Sequence, residues 1–116
     1  MGLDFQCIIG TDALWLPSLI VGTEAVISAI ENVFPRFIVN FYNKSVQEGM
    51  KSTADIQLKV IRIRNILETG ELNIPRSLAA LELLGINPGK TVCPFKESAL
   101  SEKQILEKEL EKEGML

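Results

Sequence analysis

Two short polar segments, each at the end of an apolar run, carry the side chains best suited to binding a small ligand. Gly10, Thr11 and Asp12 follow the first apolar run, and Ser28 lies near the end of the second. A glycine lets a ligand approach the backbone closely, and a carboxylate or hydroxyl can bind a ligand hydroxyl. If both runs are parallel strands, these residues lie at carboxyl ends, where α/β enzymes place their sites.

Each of these residues also has an ordinary structural explanation. Thr11 or Asp12 can cap the following helix, since a side-chain oxygen accepts an unpaired backbone N–H, and capping is the commoner role for Asp at a helix start. Nearby backbone can equally satisfy the Ser28 hydroxyl. Trp15 and the aromatic residues of the next helix are more typical of a core or an interface than of a cofactor site.

The elements that would position these residues are a strand, a helix, a second strand and then helices. Segments 5–9 and 25–29 predict short strands, which are parallel if the helix between them, ending at Gly22, is a crossover. A further helix is predicted from Asn32, a candidate cap, through Pro35 to Gly49. Its stripe has three- and four-residue spacing: Phe34, Phe37, Ile38, Phe41 and Tyr42.

Three more helices complete the predicted chain. The first opens at a capping box of Ser52 and Asp55 and ends at Gly70. Its apolar stripe consists of Ile56, Val60, Ile63 and Leu67. The second runs from Pro75 to Leu84, before Gly85 and a turn at 87–89. The last opens at a second capping box, Ser101 with Gln104.

Composition excludes several classes of function. The 116 residues form one domain at most, and a net charge of −3 gives no electrostatic reason to bind nucleic acid. The chain has no histidine, so it lacks the commonest general base and zinc ligand. The longest uncharged run, 13–23, is far short of the ~18 apolar residues that suggest a membrane span. We therefore expect neither a nucleic acid nor a membrane partner.

The two cysteines indicate no metal or redox site. Cys7 and Cys93 are far apart and fit no ligand or redox spacing. Cys7 lies in a predicted buried strand, so we expect an inert core thiol. A reducing cytoplasm is the default location, and no signal peptide is visible at the start of the chain.

Several motifs, in their order and spacing, resemble the dihydrodipicolinate synthase / N-acetylneuraminate lyase family over nearly the whole chain. They are Gly10-Thr11-Asp12, Leu16-Pro17-Ser18-Leu19, Gly22, Val26-Ile27-Ser28, Asn32-Val33-Phe34-Pro35 and Leu81-Glu82-Leu83-Leu84-Gly85-Ile86. The resemblance implies an α/β fold, the C-terminal part of a (β/α)8 barrel. Residues 1–48 would form its last two βα units and residues 49–116 a helical appendage.

The resemblance also implies a class I aldolase or synthase that holds pyruvate, or another 2-oxo acid, as a Schiff base. Gly10 would lie beside the substrate, and the Ile27 carbonyl would face the bound pyruvate. Asp12 resembles a hydroxyl-binding aspartate of the sialic acid lyases, but Ala13 and Ala29 replace their neighbouring glutamate and serine, which argues against sialic acid. The implied substrate-binding residues are Gly10, Thr11, Asp12, Ile27 and Ser28.

The family's catalytic groups are not found in this chain. Its Schiff-base lysine, catalytic tyrosine and carboxylate-binding hydroxyls lie on strands six, five and two, whereas the lysines here fall in predicted helices or loops. We expect no catalysis by this chain alone, no metal and no cofactor, and 2-oxo acid binding only if the rest of a barrel completes the pocket. The alternative is a non-catalytic helical oligomerisation module or a truncated gene product.

A homo-oligomer is expected on physical grounds. Two strands leave two unpaired edges, and such edges recruit partners. Segment 17–21 and the stripe of Phe34, Phe37 and Phe41 would also be left bare without further barrel to cover them.

Overall fold

A computed structural model describes residues 5–69 and 73–116 of the chain. The chain order is strand, helix, strand and then four helices, with 3-10 turns at Asp12–Leu14 and Ile30–Asn32. The regular elements are β1 (Ile8–Ile9), α1 (Trp15–Ile20), β2 (Ala25–Val26), α2 (Pro35–Glu48), α3 (Met50–Leu67), α4 (Asn73–Leu83) and α5 (Leu100–Lys112). The chain divides after Ile61 into two compact units. The predicted boundary between residues 48 and 49 remains a prediction.

The strands β1 and β2 pair in parallel, as predicted. Ile8 lies opposite Ala25 and Ile9 opposite Val26, and the Ile27 N–H donates to the Ile9 carbonyl at 2.9 Å. Both strands are shorter than the predicted segments 5–9 and 25–29, because backbone pairing exists only where the two segments face each other. The prediction that Cys7 is a buried core thiol is wrong, since its side chain is exposed.

The crossover helix α1 ends before Gly22 as the sequence predicts, but it begins at Trp15, after a 3-10 turn that the sequence did not predict. Pro17 lies in its first turn, where the missing N–H is tolerated. Gly22 follows the helix with a φ of 83°, a conformation that favours glycine. The Thr23 N–H then donates to the Ser18 carbonyl at 3.1 Å, which satisfies a carbonyl at the end of the helix.

The helix α2 starts at Pro35, but the cap predicted for it is wrong. Asn32 lies inside the preceding 3-10 turn, and its side-chain amide donates to the Ala29 carbonyl at 3.2 Å. Phe34 occupies the capping position without any side-chain capping bond. Gly49, with a φ of 84°, ends the helix as predicted.

The aromatic stripe of α2 packs into the core of the first unit. Phe34 and Phe41 are buried, so the expectation that they are left bare is wrong. Trp15 is only 1% exposed, its ring stacks on Tyr42 at 5.0 Å, and its Nε1–H donates to the Ser45 hydroxyl at 2.6 Å. The prediction that Trp15 belongs to the core is confirmed. The other buried apolar residues described in this unit are Leu16, Ile30, Val33, Ile38 and Val60.

The helix α3 begins at Met50, two residues before the predicted capping box. Ser52 already lies in the first turn, where its hydroxyl donates back to the Glu48 carbonyl at 3.2 Å. The capping box of Ser52 and Asp55 is therefore wrong. The predicted stripe is confirmed at Val60, Ile63 and Leu67, and Ile56 is half-buried. The predicted helix stop at Gly70 lies outside the described residues.

In the second unit, α4 starts two residues before Pro75 and ends before Gly85, whose φ is 78°. The predicted turn at 87–89 is confirmed, with the Gly89 N–H donating to Asn87 Oδ1 at 3.1 Å. The predicted capping box of Ser101 and Gln104 is wrong. Ala99 is the capping residue of α5, and Glu102 accepts its N–H at 2.7 Å.

The core of the second unit lies between α4, α5 and the end of α3. Its buried apolar residues are Ile63, Leu67, Ala79, Ala80, Leu106 and Leu110. Arg76 of α4 donates to Glu109 of α5 at 2.7 Å. Among residues 5–69 and 73–116, no helix is both long and apolar enough to cross a membrane.

Candidate functional site

The carboxyl ends of β1 and β2 meet at a hydrogen bond between two buried side chains. The Ser28 hydroxyl donates to Asp12 Oδ2 at 2.7 Å, and the Ile30 N–H reaches the same oxygen at 3.4 Å. Asp12 is 3% exposed and Ser28 is 5% exposed. The sequence prediction that these residues share one end of a parallel strand pair is therefore confirmed in geometry.

The capping role favoured for Asp12 is wrong. Thr11 occupies the capping position of the 3-10 turn, but no side chain makes a capping bond there. The Asp12 carboxylate instead points across to the second strand, where it binds a hydroxyl and a backbone N–H. The Ser28 hydroxyl also accepts the Glu31 N–H at 3.3 Å. Nearby backbone therefore satisfies its acceptor, as the sequence suggested, but its donor is bound by the Asp12 side chain.

The other predicted site residues lie beside this bond. Gly10 is exposed, and a Cβ built on it would meet no atom within 4 Å. Ile27 is 68% exposed. The Thr11 hydroxyl is buried and has no hydrogen-bond partner among the described residues. Gly10 and Ile27 thus border open space at the strand ends, while Asp12 and Ser28 hold those ends together.

Sequence reasoning missed a fourth polar residue that contacts the site, Gln57 of α3. Its Oε1 accepts the Leu16 N–H at 3.0 Å, and its Nε2 donates to the Asp12 carbonyl at 3.0 Å. Gln57 is 6% exposed. The available signal was its position three residues before Val60, on the buried face of an amphipathic helix.

No lysine belongs to the strand-end segments 10–12 and 27–30. Every lysine falls on α2, α3, α5 or the segment between α4 and α5, as predicted: Lys44, Lys51, Lys59, Lys90, Lys96, Lys103, Lys108 and Lys112. Lys59 lies over the Phe37 ring, with Nζ 5.5 Å from its centre. In the same described residues, no group of three or more His, Cys, Asp or Glu side chains is placed to hold a metal ion.

Comparison with known proteins identifies the family. The model of the Dihydrodipicolinate synthetase family matches residues 1–113. This chain belongs to that family. Over 113 residues it is 33% identical to the 4-hydroxy-tetrahydrodipicolinate synthase of Methanopyrus kandleri, a match that covers 97% of this chain and 37% of the relative.

Solved structures of the dihydrodipicolinate synthase family have the same fold. A synthase from Cyanidioschyzon merolae, crystallised with lysine bound, is 28% identical with a TM-score of 0.80, over 97% of this chain and 38% of its own. A prophage protein from E. coli K12, crystallised with pyruvate, superimposes with a TM-score of 0.82 at 18% identity, over 97% of this chain and 38% of its own. This chain therefore spans somewhat more than a third of its relatives' length.

Proposed function

We propose that this chain forms the last two strand–helix units and the helical appendage of a (β/α)8 barrel. The barrel would be a lyase or synthase that binds pyruvate, or another 2-oxo acid, as a Schiff base. The observation that carries the proposal is the meeting of Gly10–Asp12 with Ile27 and Ser28 at the carboxyl ends of two parallel strands. Barrel enzymes build their sites at that end of the strands.

The five predicted residues would have different roles in the wall of the pocket. Gly10 and Ile27 would present backbone to the substrate, because both border open space. The Thr11 hydroxyl would be a donor for a ligand oxygen. Asp12 and Ser28 would fix the distance between the two strand ends, since each is already bonded to the other.

The covalent step would need an amine, and neither strand end of this chain contains a lysine. In Schiff-base catalysis, a lysine amine attacks the ketone carbon and water leaves, so the amine must be uncharged and oriented. The lysines described here belong to helices and a connecting segment, and none belongs to either strand end. The remainder of the barrel would supply the lysine, and this chain would complete the pocket around it.

Complementation tests this proposal directly. The M. kandleri synthase is produced without the 37% of its length that this chain matches, alone and together with the full chain described here. We expect synthase activity only in the mixture. Borohydride reduction in the presence of pyruvate should label a lysine of the relative's portion and none of this chain.

Two outcomes would contradict the proposal. One is a stable complex of the two polypeptides that has neither activity nor a pyruvate adduct. The other is a chain that assembles with itself and does not bind the truncated synthase, which would favour a non-catalytic helical module. The control is the truncated synthase mixed with its own missing segment, because it shows whether a divided barrel of this kind can work.

A further inference from the structure

The geometry points to Gln57 as a positioning residue that holds the strand-end turn and, through it, the Asp12 carboxylate. Gln57 lies on α3, 41 residues after Leu16 and 45 after Asp12, and bonds both at 3.0 Å. Neither catalytic contact nor substrate contact is assigned to it. It acts on the proposed site through the backbone of the turn.

The orientation of the Gln57 amide follows from its partners. The Leu16 N–H can only donate and the Asp12 carbonyl can only accept, so one orientation alone satisfies both. A side chain that is 6% exposed needs both bonds, because a buried amide without partners is destabilising. The bond to Leu16 also satisfies one of the N–H groups that the first turn of a helix leaves unpaired.

Asp12 is consequently held from two directions. Gln57 binds its main-chain carbonyl, and Ser28 and the Ile30 N–H bind its carboxylate. A shift of the Asp12 backbone would therefore move the carboxylate away from the second strand. The turn from Gly10 to Asp12, which the proposed function places beside the substrate, would move with it.

Hydrogen–deuterium exchange of single amides in the full-length polypeptide tests whether Gln57 acts on Asp12 and, through it, on Ile30. In Gln57→Met, which keeps the length of the side chain but neither bond, we expect the Leu16 amide to exchange about tenfold faster. The Ile30 amide should also exchange several-fold faster, although Gln57 does not touch it. The acceleration at Ile30 is the readout that a purely local packing role would not produce.

A second variant separates the two halves of the contact. Measured at a pH at which its carboxyl is ionised, a Gln57→Glu side chain can still accept the Leu16 N–H but has no hydrogen for the Asp12 carbonyl. We expect near-normal exchange at Leu16 and faster exchange at Ile30. If Gln57→Met does not fold, the pH dependence of Gln57→Glu decides the matter, because its protonated carboxyl can make both bonds and its ionised carboxylate only one. The matched control is Gln47→Met, an exposed position on α2, which should change neither amide.

Two results would overturn the inference. One is unchanged exchange at Ile30 in both Gln57 variants. The other is an equal acceleration of every amide, which would mean general destabilisation. The inference rests on the proposed function only for its effect on catalysis, and the exchange measurement needs no activity. An inactive complementation mixture would thus count against the proposed function alone. In an active mixture, Gln57→Met should lower kcat/KM while the two polypeptides still associate.

Discussion

The Ser28–Asp12 hydrogen bond is the contact on which the strand-end geometry depends most directly. Both side chains are buried, and the donor–acceptor distance of 2.7 Å is typical of a hydroxyl bound to a carboxylate. Buried hydrogen bonds to charged groups stabilise more than neutral ones, because removal of one partner leaves the other poorly solvated. The bond therefore contributes to folding as well as to the shape of the proposed pocket.

We predict that Ser28→Ala destabilises the chain by about 1–3 kcal/mol. The loss reflects the missing donor to Asp12 and the missing acceptor for the Glu31 N–H. Urea unfolding followed by circular dichroism measures the change. Ser101→Ala, at an exposed position of α5, is the matched control and should change the free energy of unfolding by less than about 0.5 kcal/mol. Equal effects of the two substitutions would contradict the prediction.

At the scale of single elements, local signals predicted the helices well and their first residues poorly. Gly22, Gly49 and Gly85 end helices because each adopts a positive φ. Glycine adopts this conformation without steric cost whatever its neighbours are, so the signal is local. Helix starts depend on competition among neighbouring polar side chains. Asn32 and Ser52 resemble caps in sequence, but each bonds an upstream carbonyl instead.

The roles of Asp12 and Gln57 could not be predicted for a related reason. Their partners lie 16 to 45 residues away along the chain, and no local pattern fixes which distant backbone group a side chain will meet. The parallel pairing of β1 and β2 was predictable because a helix between two apolar segments favours a crossover connection. The sequence thus predicted that the two strand ends lie together, but it did not predict the hydrogen bonds that connect them.

A pair of glycine substitutions tests the conformational part of this account. Gly85 has a φ of 78° and open space around it, so Gly85→Ala should cost about 1–2 kcal/mol through backbone strain alone. Gly10 also has open space but no positive φ, so Gly10→Ala should leave stability within about 0.5 kcal/mol. Thermal unfolding of both variants makes the comparison. A larger loss for Gly10→Ala would mean that Gly10 is required by the fold.

At the scale of the whole chain, the positions of the lysines predict that the isolated protein does not form a Schiff base. We expect no aldolase activity and no adduct after borohydride reduction with pyruvate, since among the described residues no lysine belongs to either strand or to the residues that directly follow it. Intact-mass spectrometry of the reduced protein is the measurement. A single stoichiometric adduct on one lysine would contradict the prediction, whereas weak labelling spread over many lysines would not.

One side of the first unit exposes several large apolar side chains next to the strand pair. Phe5, Ile20 and Val21 are 63%, 73% and 65% exposed and, with Gln6 and Glu24, line a common groove of about 560 Å3 next to β1. Each strand of the pair also has an unpaired edge in the described structure. Exposed apolar side chains and free strand edges both favour association.

We therefore predict that the chain is not a monomer in solution, although Phe34 and Phe41 are buried and contribute nothing to association. Closed symmetry is the rule for such assemblies, so a dimer or tetramer is expected. Light scattering should give a multiple of 12.9 kDa at micromolar concentration. Ile20→Glu should lower the mass, because a second carboxylate beside Glu24 opposes burial of the groove, whereas Val92→Glu, at a 75% exposed position of the second unit, should not. A concentration-independent mass of 12.9 kDa for the unaltered chain would show that the groove by itself does not drive assembly.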